Sequence, residues 1–86
     1  MPISGKENER ARLMWQCRRG MRELDILLQD FMNERYDDLP LTDQESFRAI
    51  LALPDQLLLE YLLGRIIPSD PAVAHVITRI RQFPED

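Results

Sequence analysis

The sequence is poor in the residue types that bring chemistry to a small protein: among 86 residues there are one cysteine, one histidine, one tryptophan and three glycines. A lone Cys17 excludes an intramolecular disulfide framework. With only His75 as an imidazole partner, it leaves no ligand set for a structural zinc, and no metal is expected. Gly5, Gly20 and Gly64 match neither the Gly-x-Gly-x-x-Gly nor the Walker spacing, so they build no known phosphate loop. The longest apolar stretch, Leu57 to Leu63, is interrupted by Glu60 and falls far short of the roughly 20 residues that span a bilayer. Residues 1–8 hold no apolar run of the signal-peptide kind and include an acid, which mitochondrial presequences avoid. The expected setting is the bacterial cytoplasm, with no membrane insertion. No segment alternates with period two, so no strand is expected either.

What is present is an ordinary globular composition, 44% hydrophobic and 30% charged, in a chain long enough for one domain with one modest core. Residues 1–86 are read as a single helical domain, expected as a monomer, with 1–6 and 83–86 frayed. The net charge of −4 conceals an asymmetry. Residues 1–22 carry six Lys/Arg against two Glu, giving +4, and residues 23–86 carry five Arg against thirteen acids, giving −8. A basic first segment on an acidic body can present one positive face to an acidic partner, although charge runs are commonly just solvated helix faces.

Apolar residues recur at helical spacing throughout, which predicts an all-α fold, a compact bundle of five short helices. The first is expected over Glu7 to Arg19, with Arg10, Leu13, Met14 and Cys17 on one stripe. Gly20 stops it in a left-handed conformation, while Arg18 and Arg19 complement the negative end of the helix dipole. The second runs from Met21 or Arg22 to about Tyr36, burying Leu24, Leu27, Leu28, Phe31 and Met32. Thr42-Asp43-Gln44-Glu45 reads as a capping box opening a third helix that buries Phe47, Ile50 and Leu51. Pro54-Asp55 breaks it and supplies a new cap. A nearly all-apolar fourth helix follows, ending at Gly64 and packing on two sides. Ser69-Asp70-Pro71 starts a fifth, with Val73, Val76, Ile77 and Ile80 on its stripe, to about Gln82.

Catalysis needs paired titratable groups in a desolvated pocket, whereas the acids here fall at caps and on polar faces; no enzyme is expected. Cys17 lies on an apolar stripe and reads as a buried structural thiol, and His75 as a solvated surface residue. Short helices joined at a glycine resemble a helix-turn-helix, with Arg10, Arg12, Arg18, Arg19 and Arg22 for phosphates. The segment after the turn, Leu24-Asp25-Ile26-Leu27-Leu28-Gln29-Asp30, is apolar and acidic and would repel DNA, so no nucleic acid is expected. Trp15, Arg12, Arg19 and Arg22 remain as a set that core packing does not fully explain, tryptophan and arginine being enriched at interface hot spots. For Trp15 alone, core and contact readings stay open.

The run Arg12-Leu13-Met14-Trp15-Gln16-Cys17-Arg18-Arg19-Gly20-Met21-Arg22-Glu23-Leu24-Asp25 resembles the small flavinylation factors of succinate dehydrogenase, the SdhE/Sdh5 family. Its Arg-Gly-x-x-Glu signature is present as Arg19, Gly20 and Glu23. Phe31 to Asp38, Leu39 to Thr42 and Asp55 to Leu62 run parallel to it, so the resemblance covers about residues 9–82. Two features depart from related bacterial sequences: Tyr61 in place of a tryptophan, and Gly64-Arg65-Ile66-Ile67 in place of a histidine-glycine turn. The resemblance implies a five-helix chaperone or assembly factor that binds the flavoprotein subunit of succinate dehydrogenase, with that of fumarate reductase as a second candidate client, and promotes covalent attachment of FAD to one of its histidines. FAD is then the client's cofactor and is not held tightly by this chain. Arg19, Gly20 and Glu23 become partner-binding residues at one exposed corner, flanked by Arg18, Arg22 and Asp25, with Arg12 and Trp15 near by. The alternative is an antitoxin-like regulatory or nucleic-acid-binding module.

Overall fold

Leucine, phenylalanine and methionine at three- and four-residue spacing over Arg22–Arg35 make the central helix, α2, and its Leu24, Leu28, Phe31 and Met32 are all buried. A computed structural model describes the backbone of residues 5–83 and the side chains of residues 8–83. Around α2 stand α1 (Gly5–Gln16), α3 (Leu41–Leu51), α4 (Asp55–Leu62) and α5 (Pro71–Gln82), with a 3₁₀ turn over Tyr36–Asp38 after α2. The described residues are all-α, as the periodicity implies. The fraying expected of 1–6 and 83–86 lies outside them but for Gly5 and Lys6, which are helical, and Phe83, whose ring meets Phe31 edge-on at 5.8 Å.

The core follows from the stripes. Leu13 and Cys17 from the end of α1, Phe47, Ile50 and Leu51 from α3, Leu58 from α4, and Val76, Ile77 and Ile80 from α5 close around α2. The α3–α5 interface is the most extensive, and Phe47 bridges Phe31 and Tyr36 with ring centroids 5.6 Å apart on each side. Asp70 caps α5 as expected, its carboxylate accepting the Ala72 N–H at 2.9 Å with Pro71 following. At the end of α4, Gly64 (φ +77) lets the Arg65 N–H reach the Glu60 carbonyl and its own N–H reach Tyr61, so the last carbonyls are satisfied.

Four expectations are corrected. Helix α1 begins at Gly5 and ends at Gln16, three residues short of Arg19. The Arg18 N–H closes a tight turn on the Trp15 carbonyl, and the Arg19 and Gly20 N–H groups bond to a side chain and not to a further helical turn. The Thr42 capping box does not form. Pro40, at φ −56 and ψ 154, precedes the helix and its carbonyl accepts from Gln44, so Thr42 is already helical. Asp55 is the first residue of α4 and caps nothing, its carboxylate pairing instead with Arg19. Finally, the two-sided packing expected of α4 is incomplete: Leu58 alone is fully buried, Leu57, Leu59, Tyr61 and Leu62 are partly buried, and Leu63, just past the helix, is half exposed.

Candidate functional site

The residues between α1 and α2 cannot continue either helix, because Gly20 stands at φ +79, where a side chain is strained. Asp25, in the first turn of α2, holds the linker. Its Oδ1 accepts the Arg19 N–H at 2.6 Å and its Oδ2 the Gly20 N–H at 3.1 Å. One carboxylate thus pins two consecutive amides, and it also suits the positive end of α2. Gly20 itself is exposed, with no atom within 4 Å of where a Cβ would stand. The turn demands the glycine for its backbone angle, and the space above it is open.

Arg19 turns inward, with 12% of its side chain exposed. Its Nη1 donates to the Leu53 carbonyl and pairs with Asp55 Oδ1, both at 3.0 Å, and its Nη2 donates to the Leu51 carbonyl. Its Nε is buried without a hydrogen-bond partner among the described residues. A guanidinium is well shaped for this place, since its fork meets the unsatisfied carbonyls at the C-terminal end of α3 while its charge offsets that end's negative dipole. The expected pairing of Arg19 and Glu23 at one exposed corner is therefore corrected. Glu23 is exposed, but the Arg19 guanidinium is committed to the α3–α4 corner, and among the described residues no bond joins the two.

Around the turn the exposed groups collect. Trp15 is 70% exposed, which decides between its two readings: it is not core. Arg18 lies over its ring, 6.0 Å from the centroid, a cation–π distance. Trp15, Gln16, Arg18 and Arg19 line an open groove of about 300 Å³ with Leu51 and Asp55. Arg22 and Glu23 follow on the exposed start of α2, and Arg12 lines a neighbouring groove with Asn8, Gln16 and Arg48. Arg12, Arg18, Arg22 and Glu23 make no ion pair among the described residues. The structure therefore brings Trp15, Arg18, Gly20, Arg22 and Glu23 to the surface around one turn and places Arg19 and Asp25 beneath it.

This arrangement occupies the segment on which the family signature falls, and the signature is not a chance match. A family model described as "Flavinator of succinate dehydrogenase" matches residues 11–84. The chain belongs to this Sdh5 family. Relatives named FAD assembly factor SdhE include proteins of Coxiella burnetii, 41% identical over 82 residues (95% of this chain and 94% of the relative), and Photobacterium profundum, 41% identical over 73 residues (85% and 83%). A third, from a Serratia strain, is 35% identical over 74 residues (86% and 84%). Assembly is the activity these names describe.

The remaining chemistry-bearing groups lie elsewhere or are inert. Cys17 is fully buried with its thiol directed at the Leu28 carbonyl (3.6 Å); burial pushes its pKa up to about 11, against the pull of nearby Arg19. A thiol so held stays protonated at neutral pH and is a poor nucleophile. The Gly20 and Gly64 amides have acceptors in Asp25 and Tyr61, so neither glycine offers a free amide. Among the described residues no three His, Cys, Asp or Glu are grouped to hold a metal, and no helix is long and apolar enough to cross a membrane. His75 is half exposed, 3.4 Å from an Asp43 carboxylate oxygen.

Sequence reasoning missed one cluster. The Tyr36 hydroxyl donates to Glu9 Oε1 (3.2 Å) and accepts from Arg48 Nη1 (3.0 Å), which also pairs with Glu9 at 2.7 Å; Arg10 meets Asp37 beside it. Burial raises the Tyr36 pKa above its ordinary value, partly offset by Arg48. Separations of 12 to 39 residues leave no local pattern by which these partners could be paired in advance.

Proposed function

We propose that this chain docks on the flavoprotein subunit of succinate dehydrogenase, with fumarate reductase a second client, through the surface made by Trp15, Arg18, Gly20, Arg22 and Glu23, with Arg12 at its edge. In this reading it promotes covalent attachment of FAD to a histidine of that subunit, in the bacterial cytoplasm and as a monomer. The observation that carries it is the exposure, around one left-handed glycine in the family signature, of a tryptophan and charges that have no ion-pair partner among the described residues. An exposed tryptophan with an arginine on its face is a strong anchor for a protein surface. A bare glycine beside it admits close backbone approach.

Binding is the whole of the contribution. The chain favours the flavinylation-competent arrangement of its client only to the extent that it binds that arrangement more tightly than others. FAD and the histidine that it joins remain the client's, and the bond-forming chemistry with them. The test is co-expression with the flavoprotein subunit, followed by covalent flavin fluorescence in a denaturing gel. The wild-type chain raises the signal; Glu23→Ala and Trp15→Ala each lower the gain, with affinity losses of about 2 kcal/mol expected at hot-spot positions. Flavin incorporation unaffected by the chain, or by both substitutions, refutes the proposal.

A further inference from the structure

We infer that Arg19, Asp25 and Asp55 are positioning residues, a latch that sets the shape of the α1–α2 turn and so presents Gly20 and Glu23 to the client. The inference rests on the docking proposed above and gives the signature arginine a different part in it: it acts from beneath the surface.

Three observations converge. The Arg19 side chain is committed to the interior by two main-chain carbonyls, Leu51 and Leu53, and by Asp55, across 32 to 36 residues of sequence. Its own N–H and that of Gly20 are both held by Asp25. Gly20, between the two anchors, has no side chain, and no atom stands within 4 Å of where a Cβ would be, so no side-chain packing of its own fixes the turn there. Arg19 thus ties the α1–α2 turn to the corner where α3 ends and α4 begins. Release of either anchor leaves a glycine free to explore both signs of φ, and Glu23 loses its defined place relative to Trp15 and Arg18.

The chemistry of the anchors predicts a graded response. Lysine at position 19 supplies a point charge and can serve one carbonyl, but not the fork of acceptors that a guanidinium spans. Asparagine at position 25 offers one oxygen to two amides and sets an NH₂ group against the other. The Asp55 carboxylate is about half exposed, and its loss leaves both carbonyl bonds in place.

The test compares Arg19→Lys, Arg19→Ala, Asp25→Asn and Asp55→Asn in the full chain, with Glu23→Ala as a change of the surface alone. Two quantities are read: amide hydrogen exchange at Arg19 and Gly20 in the free chain, and calorimetric affinity for the purified apo-flavoprotein subunit of succinate dehydrogenase. Exchange at both amides is expected to rise at least about tenfold in Arg19→Lys and Asp25→Asn, with the helical circular dichroism unchanged and affinity falling in parallel. Arg19→Ala should exceed Arg19→Lys, and Asp55→Asn should be mildest. Glu23→Ala should lose affinity with exchange unaltered. Affinity lost in Arg19→Lys while both amides stay protected overturns the latch and makes Arg19 a direct contact. Faster exchange with full affinity overturns it too. A wild-type chain that does not bind the subunit defeats the docking reading instead, and the latch then stands or falls on whether exchange responds to Arg19→Lys.

Discussion

Replacing Gly20 by alanine isolates the conformational demand of the signature turn. Gly20 sits at φ +79, where an L-residue is strained by about 1–2 kcal/mol. The alanine chain is also less free when unfolded, which returns about 0.4–1 kcal/mol. No atom lies within 4 Å of the added Cβ, so no steric cost adds to the difference, and the net loss is about 1 kcal/mol. For a domain of this size that lowers Tm by about 4–8 °C, and it should appear as a lower midpoint in urea with an unchanged slope. Gly64→Ala makes the useful comparison. It has the same backbone penalty at φ +77, but the new Cβ falls 2.8 Å from Arg81 Nη2, so the end of a flexible arginine must move aside. A Gly20→Ala protein as stable as the parent refutes the left-handed turn, and a loss above about 3 kcal/mol refutes the open space around it.

Two further outcomes follow from buried groups and caps. The Cys17 thiol, neutral in the fold with its pKa raised to about 11 from 9.0, contributes fully below pH 9, where the unfolded thiol is also protonated. As pH rises further, the unfolded state gives up this proton first, so about 2–3 kcal/mol of stability is lost by pH 11; urea unfolding at pH 8 and 10.5 should show the decline, and Cys17→Ala should flatten it. Retention of the full decline in Cys17→Ala assigns it to other groups, Tyr36 first among them. Asp70→Ala removes the side-chain acceptor of the Ala72 N–H and should cost about 1 kcal/mol in the same assay; an unchanged midpoint shows that Pro71 alone suffices to start α5.

The number of helices, the buried stripe of α2, the left-handed glycine at position 20, the stop of α4 near Gly64 and the cap of α5 at Asp70 were all legible in the sequence, because each depends on neighbours within about one helical turn. So was the family signature, which is a pattern in one short run. The tertiary structure alone decided which way the signature's side chains point. Trp15 faces out, and Arg19, adjacent to the exposed Arg18, faces in. The reason is physical: what draws Arg19 inward are the carbonyls of Leu51 and Leu53, groups that every residue carries and that become acceptors only where a distant helix happens to end. The same holds at the helix boundaries. Asp55 reads locally as a cap and Arg19 as part of a helix, yet in the fold the Asp55 carboxylate pairs with the Arg19 guanidinium at 3.0 Å and Asp25 takes the Arg19 amide.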